Sequence, residues 1–343
     1  MPPVLTNQQV LLKSRPEGFP SESNFEIVTG EISQDLSGSQ DVLVQLLDLS
    51  VDPYLRGRMN AGKSYVPAFE LGKPLNSGAL GKVVKSSNSS FKEGDIVSGS
   101  LHWANYTRVP EGKGLTKIDT SARVPLSYYL GVLGMTGLTA YAGLLEIGKP
   151  QEGETVYVSA ASGAVGQIVG QIAKLKGCRV VGSAGTDEKV KLLKEKFGYD
   201  AAFNYKTCKD LTATLQELCP NGIDIYFENV GGQMLEAVLN VCNNHARIPT
   251  CGMISQYNVP DKVGVRNLFM VIAKRLLIQG FIVGDYLPTM GAQFKKDMSQ
   301  WLKEGKINYL DDVTHGLENA PKAFIGMSHG KNVGKAAVKV AEP

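Results

Sequence analysis

The sequence predicts an α/β chain, a doubly wound parallel sheet joined to a smaller β-rich, barrel-type domain, and three observations predict it. Residues 1–125 are rich in Gly, Pro and short alternating runs, such as Val42–Leu49, Gly78–Val84 and Asp95–Ser98; short strands punctuated by turns have this pattern. From about residue 127 apolar runs alternate with amphipathic stretches, as in a sheet with crossover helices. Within that second region, Thr155–Gly166 followed by Gln167–Lys174 reads as a buried strand, a tight small-residue turn and a helix with Val165, Ile168, Val169 and Ile172 at helical spacing.

Each element follows in order. Strands fall at 155–159, 179–183, 201–203, 223–227, 246–251 and 276–283, with helices near 163–175, 186–197, 209–218, 232–242, 266–274 and 289–304. Six strands linked by helices close into a doubly wound parallel sheet. After 305 the chain turns irregular and ends in the strand-like run Gly334–Val340, which should return to the first domain. The expected division is therefore 1–126 with 306–343 as one domain and 127–305 as the other.

The turn after the first of these strands carries G-x-G-x-x-G spacing, with Ala161 at the first glycine and Gly163 and Gly166 at the others. Small residues let backbone approach a pyrophosphate, and the helix N-terminus offers amide donors and a positive dipole end. A plain strand-to-helix turn has the same local composition. The strand before and the helix after are the context that favours a dinucleotide.

The second strand indicates which dinucleotide. Ser183 and Ala184 stand where NAD enzymes place an acid on the ribose 2′-hydroxyl. Asp187 lies about 20 residues past Gly166 but in a first helical turn, where an acid complements the dipole. Lys189 is either a solvated helix lysine or a partner for a 2′-phosphate. The combination points to NADPH/NADP+. A ligand in such a fold sits beyond the carboxyl ends of the strands, so Glu228–Gly232, Cys251–Tyr257 and Phe281–Val283 should surround the nicotinamide half. Tyr257, on a loop past a strand end, is either a hydrogen-bond donor to a ligand or an amphipathic rim residue.

Composition excludes other classes. Net charge is +3 without a basic tail or aromatic-basic stripe, so nucleic acid is not expected as a partner. No apolar run approaches the roughly 18 residues of a membrane span, and the opening residues lack the apolar stretch of a secretory leader. Five scattered cysteines suggest reduced thiols and a cytoplasmic protein, with the sequons at Asn88 and Asn105 arising by chance. His102, His245, His315 and His329 form no ligand-spaced set with one another or with cysteine, and no bound metal is expected. No G-x-S-x-G nucleophile elbow occurs. Redox chemistry would then rest on the nicotinamide and on hydroxyl polarisation.

The strings Val51-Asp-Pro-Tyr-Leu-Arg-Gly-Arg-Met59, Gly134-Met-Thr-Gly-Leu-Thr-Ala-Tyr-Ala-Gly143, Ala160-Ala-Ser-Gly-Ala-Val-Gly-Gln167 and Phe227-Glu-Asn-Val-Gly-Gly232 resemble the zinc-independent medium-chain dehydrogenase/reductase superfamily. Cys251-Gly-Met-Ile-Ser-Gln-Tyr-Asn258 and Gly330-Lys-Asn-Val-Gly-Lys335 narrow the resemblance to plant NADPH-dependent alkenal double-bond reductases, relatives of the prostaglandin/leukotriene B4 reductases. It covers essentially the whole chain. It implies a GroES-like catalytic domain from both chain ends, a Rossmann domain between them, and a homodimer. The metal-binding motifs of zinc alcohol dehydrogenases are missing at the matching segments, around Ser50–Pro53 and Asn76–Gly78.

The resemblance also assigns residues. Gly163, Ala164, Val165 and Gly166 match the pyrophosphate turn, Lys189 the 2′-phosphate lysine and Tyr205 a tyrosine beside the adenosine phosphate. Asn229, Cys251, Ser255 and Tyr257 match cofactor-facing loops, and Phe281 and Val283 match backbone contacts to the carboxamide. Asn332 matches an asparagine that reaches the cofactor, and Tyr54 a substrate-pocket aromatic. The stretches Asp285–Gly291 and His102–Tyr106 depart from the flowering-plant pattern, which leaves open the choice among phenylpropenals, alkenals and cyclic enones. The implied reaction is conjugate reduction: hydride to the β-carbon of an α,β-unsaturated aldehyde or ketone, with Tyr257 stabilising the enolate oxygen. A quinone oxidoreductase of the zeta-crystallin kind would share fold and cofactor. A dinucleotide-binding protein without turnover would share the fingerprint.

Overall fold

A computed structural model describes residues 3–120, 124–262 and 264–343. In chain order the first strands are β1 (Val4–Leu12), β2 (Phe25–Ser33), β3 (Val42–Ser50), β4 (Asn76–Ser86), β5 (Ile96–His102), β6 (Tyr106–Val109) and β7 (Thr116–Lys117). Next come β8 (Thr155–Val158), β9 (Arg179–Ala184), β10 (Ala201–Asn204), β11 (Ile223–Phe227), β12 (Cys242–Thr250) and β13 (Leu277–Gly280), then β14 (Asp311–His315) and β15 (Lys335–Lys339). The helices are α1 (Leu55–Arg58), α2 (Met135–Ala142), α3 (Gly166–Leu175), α4 (Asp187–Glu195), α5 (Leu211–Leu218), α6 (Gly232–Val241), α7 (Phe269–Ala273), α8 (Leu287–Lys303) and α9 (Ala320–Ser328). The chain divides into two compact units, Met1–Leu130 with Asp311–Pro343, and Gly131–Leu310.

The first unit holds a seven-stranded sheet ordered β14-β15-β3-β4-β5-β7, with β6 also paired to β3, and a separate β1–β2 pair. Strand β15, from the far end of the sequence, lies between β14 and β3. It runs parallel to β14 and antiparallel to β3. Its core joins Val44, Leu46 and Leu49 to Trp103, Phe324 and Val338. Trp103 and Phe324 meet edge to face at 6.5 Å. Burying each such side chain is worth on the order of 3 kcal/mol, so segments over 200 residues apart are tied by the core rather than by the chain between them.

The second unit is a six-stranded parallel sheet in the order β10-β9-β8-β11-β12-β13. Order reverses on either side of β8, which makes the carboxyl ends of β8 and β11 the topological switch point. All four residues of β8 are buried, as a parallel strand covered on both faces requires. Tyr157 stacks on Phe203 and Tyr226 at centroid distances of 6.2 and 5.2 Å. Helix α4 starts where Thr186 Oγ1 accepts the Lys189 N–H, with Asp187 and Glu188 in its first turn. Helix α5 starts where the Asp210 carboxylate accepts the Ala213 N–H.

Three departures from expectation have local causes. Strand β12 begins at Cys242 rather than 246, because its first residues form a bulge with His245 at φ 63° and a register shift opposite Ile223 and Ile225. Strand β13 stops at Gly280, short of the expected end at 283, and a 3₁₀ turn begins at Val283. The stretch after 305, expected to be irregular, contains β14 and α9 before β15.

Candidate active site

The turn from β8 into α3 is built around backbone contacts that exclude side chains. A Cβ on Gly166 would lie 2.6 Å from both the Ala160 oxygen and the Ala161 Cα, and 2.8 Å from the Ala161 oxygen. The helix can therefore pack this close to the strand only with glycine, the role of the third fingerprint position. Ala160 has φ 47°, the Ala161 N–H donates to the Ser183 oxygen, and the Gly163 N–H donates to the Ala160 oxygen. In the first turn of α3 the Gln167 N–H already donates to the Gly163 carbonyl and those of Ile168 and Val169 to the Val165 carbonyl, so the amides offered to an anion are those of the entry residues Ala164, Val165 and Gly166. These residues fit a dinucleotide pyrophosphate.

The carboxyl end of β9 forms a second corner. Gly185 bears no side chain, and an added Cβ would sit 3.3 Å from the Tyr205 hydroxyl and from Lys206 Cε. Both side chains therefore lie over this glycine. The Tyr205 phenol, pushed up by burial, stays protonated and able to donate. Lys189 is buried on α4. Asp187, the acid that would repel a 2′-phosphate, is engaged instead by Asn204, whose Nδ2 donates to Asp187 Oδ1 at 2.8 Å. Ser183 lies differently from the other expected cofactor residues. Its hydroxyl is fully buried and bonded to the Tyr157 hydroxyl at 2.8 Å, so it points into the sheet packing and offers a nucleotide no side-chain contact. Sequence reading did not single out Lys206, although it directly follows Tyr205.

Loops beyond β11 and β12 form the third group. The Asn229 amide Nδ2 donates to the Ser159 carbonyl at 2.8 Å, and the Asn229 N–H donates to Ser159 Oγ at 3.0 Å. The segment Cys251–Ser255 hangs on the preceding loop: the Cys251 and Gly252 N–H groups donate to the Glu228 carbonyl, that of Ile254 to the Asn229 carbonyl, and that of Ser255 to the Val230 carbonyl. Ser255 Oγ also donates to the Val230 carbonyl, at 2.6 Å. Burial pushes the Cys251 thiol up to about 12, which keeps it a neutral, unreactive lining group.

Tyr257 follows the 3₁₀ turn Ile254–Gln256. Its phenol oxygen accepts the Met253 N–H at 3.1 Å, and a Cβ on Gly252 would sit 2.9 Å from that oxygen. Accepting this bond does not use the phenol proton; it polarises the O–H as a donor. Phe281 packs edge to face on Phe227 and Tyr286, which fixes the backbone leading into Val283.

In the first unit, Tyr54 precedes α1 and packs on the core. Burial, reinforced by the Asp52 charge, pushes its phenol up to about 12, so it is a neutral donor throughout the ordinary pH range. Its turn is fixed by two buried arginines. Arg56 donates to the Pro16 and Gly18 carbonyls, and Arg58 donates to those of Pro67 and Asn76 while lying over the Phe69 ring. Asn332 donates its amide to the Gly334 carbonyl at 2.7 Å.

The described residues at Ser50–Pro53 and Asn76–Gly78 do not fit a zinc ion. At the segments where zinc relatives carry ligands stands a buried polar network: Lys335 Nζ contacts Asp52 Oδ1 at 3.2 Å and the Val51 carbonyl at 2.9 Å. Ser50 Oγ donates to the other Asp52 oxygen, and Ser77 Oγ donates to the Ser50 carbonyl. A resident ammonium repels a metal cation. Among the described residues no group of three or more His, Cys, Asp or Glu side chains is placed to hold a metal, and no helix is long and apolar enough to cross a membrane.

Comparison with known proteins agrees with this construction. A family described as the N-terminal domain of oxidoreductase matches residues 8–118, and one described as zinc-binding dehydrogenase matches residues 164–304. The 2-alkenal reductase (NADP(+)-dependent) of Nicotiana tabacum is 50% identical over 339 residues, spanning 98% of each chain. The (+)-pulegone reductase of Mentha piperita is 45% identical over 344 residues, covering 98% of this chain and 99% of its own. The crystal structure of CurA in complex with NADPH from Vibrio vulnificus aligns with a TM-score of 0.90 at 42% identity, over 98% of this chain and 100% of that one. Fold and fingerprint define a dehydrogenase/reductase. The chain belongs to the zinc-independent medium-chain dehydrogenase/reductase superfamily.

Proposed function

We propose that this protein reduces the carbon–carbon double bond of α,β-unsaturated aldehydes and ketones with NADPH, the Gly131–Leu310 unit binding the dinucleotide and the other unit shaping the substrate pocket. The observation that carries this reading is the pairing of the side-chain-free turn at Gly166 with a 2′-phosphate corner whose acid, Asp187, is already engaged by Asn204. Relatives named 2-alkenal reductase and pulegone reductase, and the NADPH complex of CurA, support both cofactor and reaction class.

NADPH, when bound, supplies a hydride to the β-carbon of the substrate. Ala164, Val165 and Gly166 would hold its pyrophosphate, with Lys189, Tyr205 and Lys206 at the 2′-phosphate. Asn229, Cys251, Ser255, Phe281 and Val283 would shape the remainder of its site within the Gly131–Leu310 unit. Tyr257 donates its phenol proton in a hydrogen bond to the carbonyl oxygen, where negative charge collects as the enolate forms. A proton from solvent or from this phenol then completes the α-carbon. Tyr54 lines the apolar pocket.

The active form is a homodimer in the cytoplasm. Strand β13 ends the hydrogen-bonded order of its sheet. Phe269 and Ile272 on α7 are 71% and 72% exposed, with Leu268 and Leu277 beside them in sequence. An open strand edge flanked by apolar side chains is self-complementary about a two-fold axis. All five cysteines are free thiols, in keeping with a reducing compartment.

The test is NADPH oxidation with a 2-alkenal, a phenylpropenal, a cyclic enone and a simple quinone, with products identified by gas chromatography. The expected product of an enal is the saturated aldehyde. An allylic alcohol as main product, or turnover with the quinone alone, overturns the reading.

A further inference from the structure

Glu228, at the carboxyl end of β11, is fully buried. Its two carboxyl oxygens are unlike. Oε1 accepts from the Tyr226 hydroxyl at 2.7 Å, the Val230 N–H at 2.6 Å and the Gly231 N–H at 2.8 Å, with the Ser159 hydroxyl more distant at 3.5 Å. Oε2 is enclosed and has no hydrogen-bond partner among the described residues. The ionisable groups facing it are Tyr226 on β11, Tyr157 on β8 and the Cys251 thiol after β12, none of them cationic. A carboxylate spreads its charge over both oxygens and needs donors or a cation at each. One oxygen taking every donor and the other taking none is the pattern of a neutral carboxyl, C=O at Oε1 and O–H at Oε2. Burial pushes the group upward from the usual carboxylate range in the same sense.

Side chain and backbone of this residue act on successive loops. The carboxyl grips the amides of Val230 and Gly231, which folds the segment after β11 back on itself. The main-chain carbonyls of Glu228, Asn229 and Val230, so oriented, accept the N–H groups of Cys251, Gly252, Ile254 and Ser255. That second loop carries Tyr257, whose phenol is set by the Met253 N–H.

We infer that Glu228 is a positioning residue that acts as a neutral acid: it shapes the loop after β11 and, through it, aims Tyr257. The inference rests on the proposed role of Tyr257 in enone reduction. It adds a residue that touches neither substrate nor cofactor yet sets where the proton donor stands.

The test compares E228Q, E228A, Y257F and the double variant E228A/Y257F by kcat with a 2-alkenal at saturating NADPH, by NADPH affinity in fluorescence titration, and by melting temperature. E228Q keeps the acceptor at Oε1 and carries no charge, so it should stay within about threefold of the parent protein in kcat. E228A should lose roughly tenfold or more, and the same change in the Y257F background should lose much less, because the residue it aims is already gone. A residue that merely supported the fold would lower both backgrounds alike. E228A with parental kcat overturns the inference, as does an equal loss in both backgrounds. E228Q as damaged as E228A overturns the neutral form. Parent protein that does not bind NADPH, or Y257F with parental kcat, overturns instead the function on which the inference rests.

Discussion

Replacing Lys189 by alanine tests the 2′-phosphate corner directly. The residue is buried at the start of α4, 7% exposed, so a phosphate contact there would be largely desolvated. A charge-assisted hydrogen bond is worth about 1.5–3 kcal/mol, and each 1.4 kcal/mol is tenfold, which gives roughly a 10- to 150-fold loss of NADPH affinity. The buried site places the expectation in the upper half of that range, with weaker salt dependence than an exposed pair. Lys189 also packs its methylenes, so some loosening of α4 is expected. Titrating NADH alongside removes this contribution, because NADH shares every part of the site except the phosphate. The assay is fluorescence titration of both dinucleotides, and the decisive quantity is the ratio of their dissociation constants. That ratio should fall toward one. Equal losses for the two cofactors would refute the assignment.

Three further outcomes are expected. Tyr257→Phe should lower kcat/KM by about 100-fold or less, the lower end for loss of an oxyanion donor, with NADPH affinity unchanged; weakened NADPH binding at parental kcat would make it a cofactor-orienting residue instead. Ser183→Ala should cost about 1 kcal/mol of stability in denaturant titration by removing the oxygen partner of the Tyr157 hydroxyl, which keeps only its contact with Met234 Sδ, yet leave NADPH affinity within about twofold, and a large affinity loss would contradict its buried orientation. The Asp48 carboxyl is raised from 3.8 to about 6 by burial, so its contribution to stability is present below 3.8 and lost as pH rises through about 6. Asp48→Asn should therefore gain up to about 3 kcal/mol relative to the parent between about pH 4 and about pH 8, and a pH-independent difference would refute the burial argument.

Much of the nucleotide-binding half can be read from the chain because a buried parallel strand, a small-residue turn and an amphipathic helix each impose their own residue pattern, as Thr155–Leu175 does. Other features lack such a pattern. Helix α2 opens with Met-Thr-Gly-Leu-Thr, in which the glycine and two threonines are weak helix formers held in place by tertiary packing, and it was not anticipated. In α9, Pro321 sits in the first turn, where proline is tolerated, and Gly326 lies inside, so the segment looks irregular. Ser183 was placed correctly along β9 but not in direction. All but the first residue of that strand are buried, so alternation gives no clue to which side chains face a ligand. Glu228 was visible as part of Glu-Asn-Val-Gly-Gly, but nothing in sequence reveals that one of its oxygens takes every donor and the other none.

The placement of β15 bears on how the polypeptide matures. Lys335, which closes the buried pair with Asp52, emerges from the ribosome long after its partner, and the strand that fills the gap between β14 and β3 is translated only after the whole nucleotide-binding unit. Domains fold as units during synthesis. The Gly131–Leu310 unit can thus mature while the amino-terminal sheet still waits with the Asp48–Ser50 end of β3 unpaired on one side and a carboxylate lacking its cation. The nascent amino-terminal unit is exposed to strand-exchange errors and chaperone capture throughout that interval, and the late arrival of Lys335 brings it to an end.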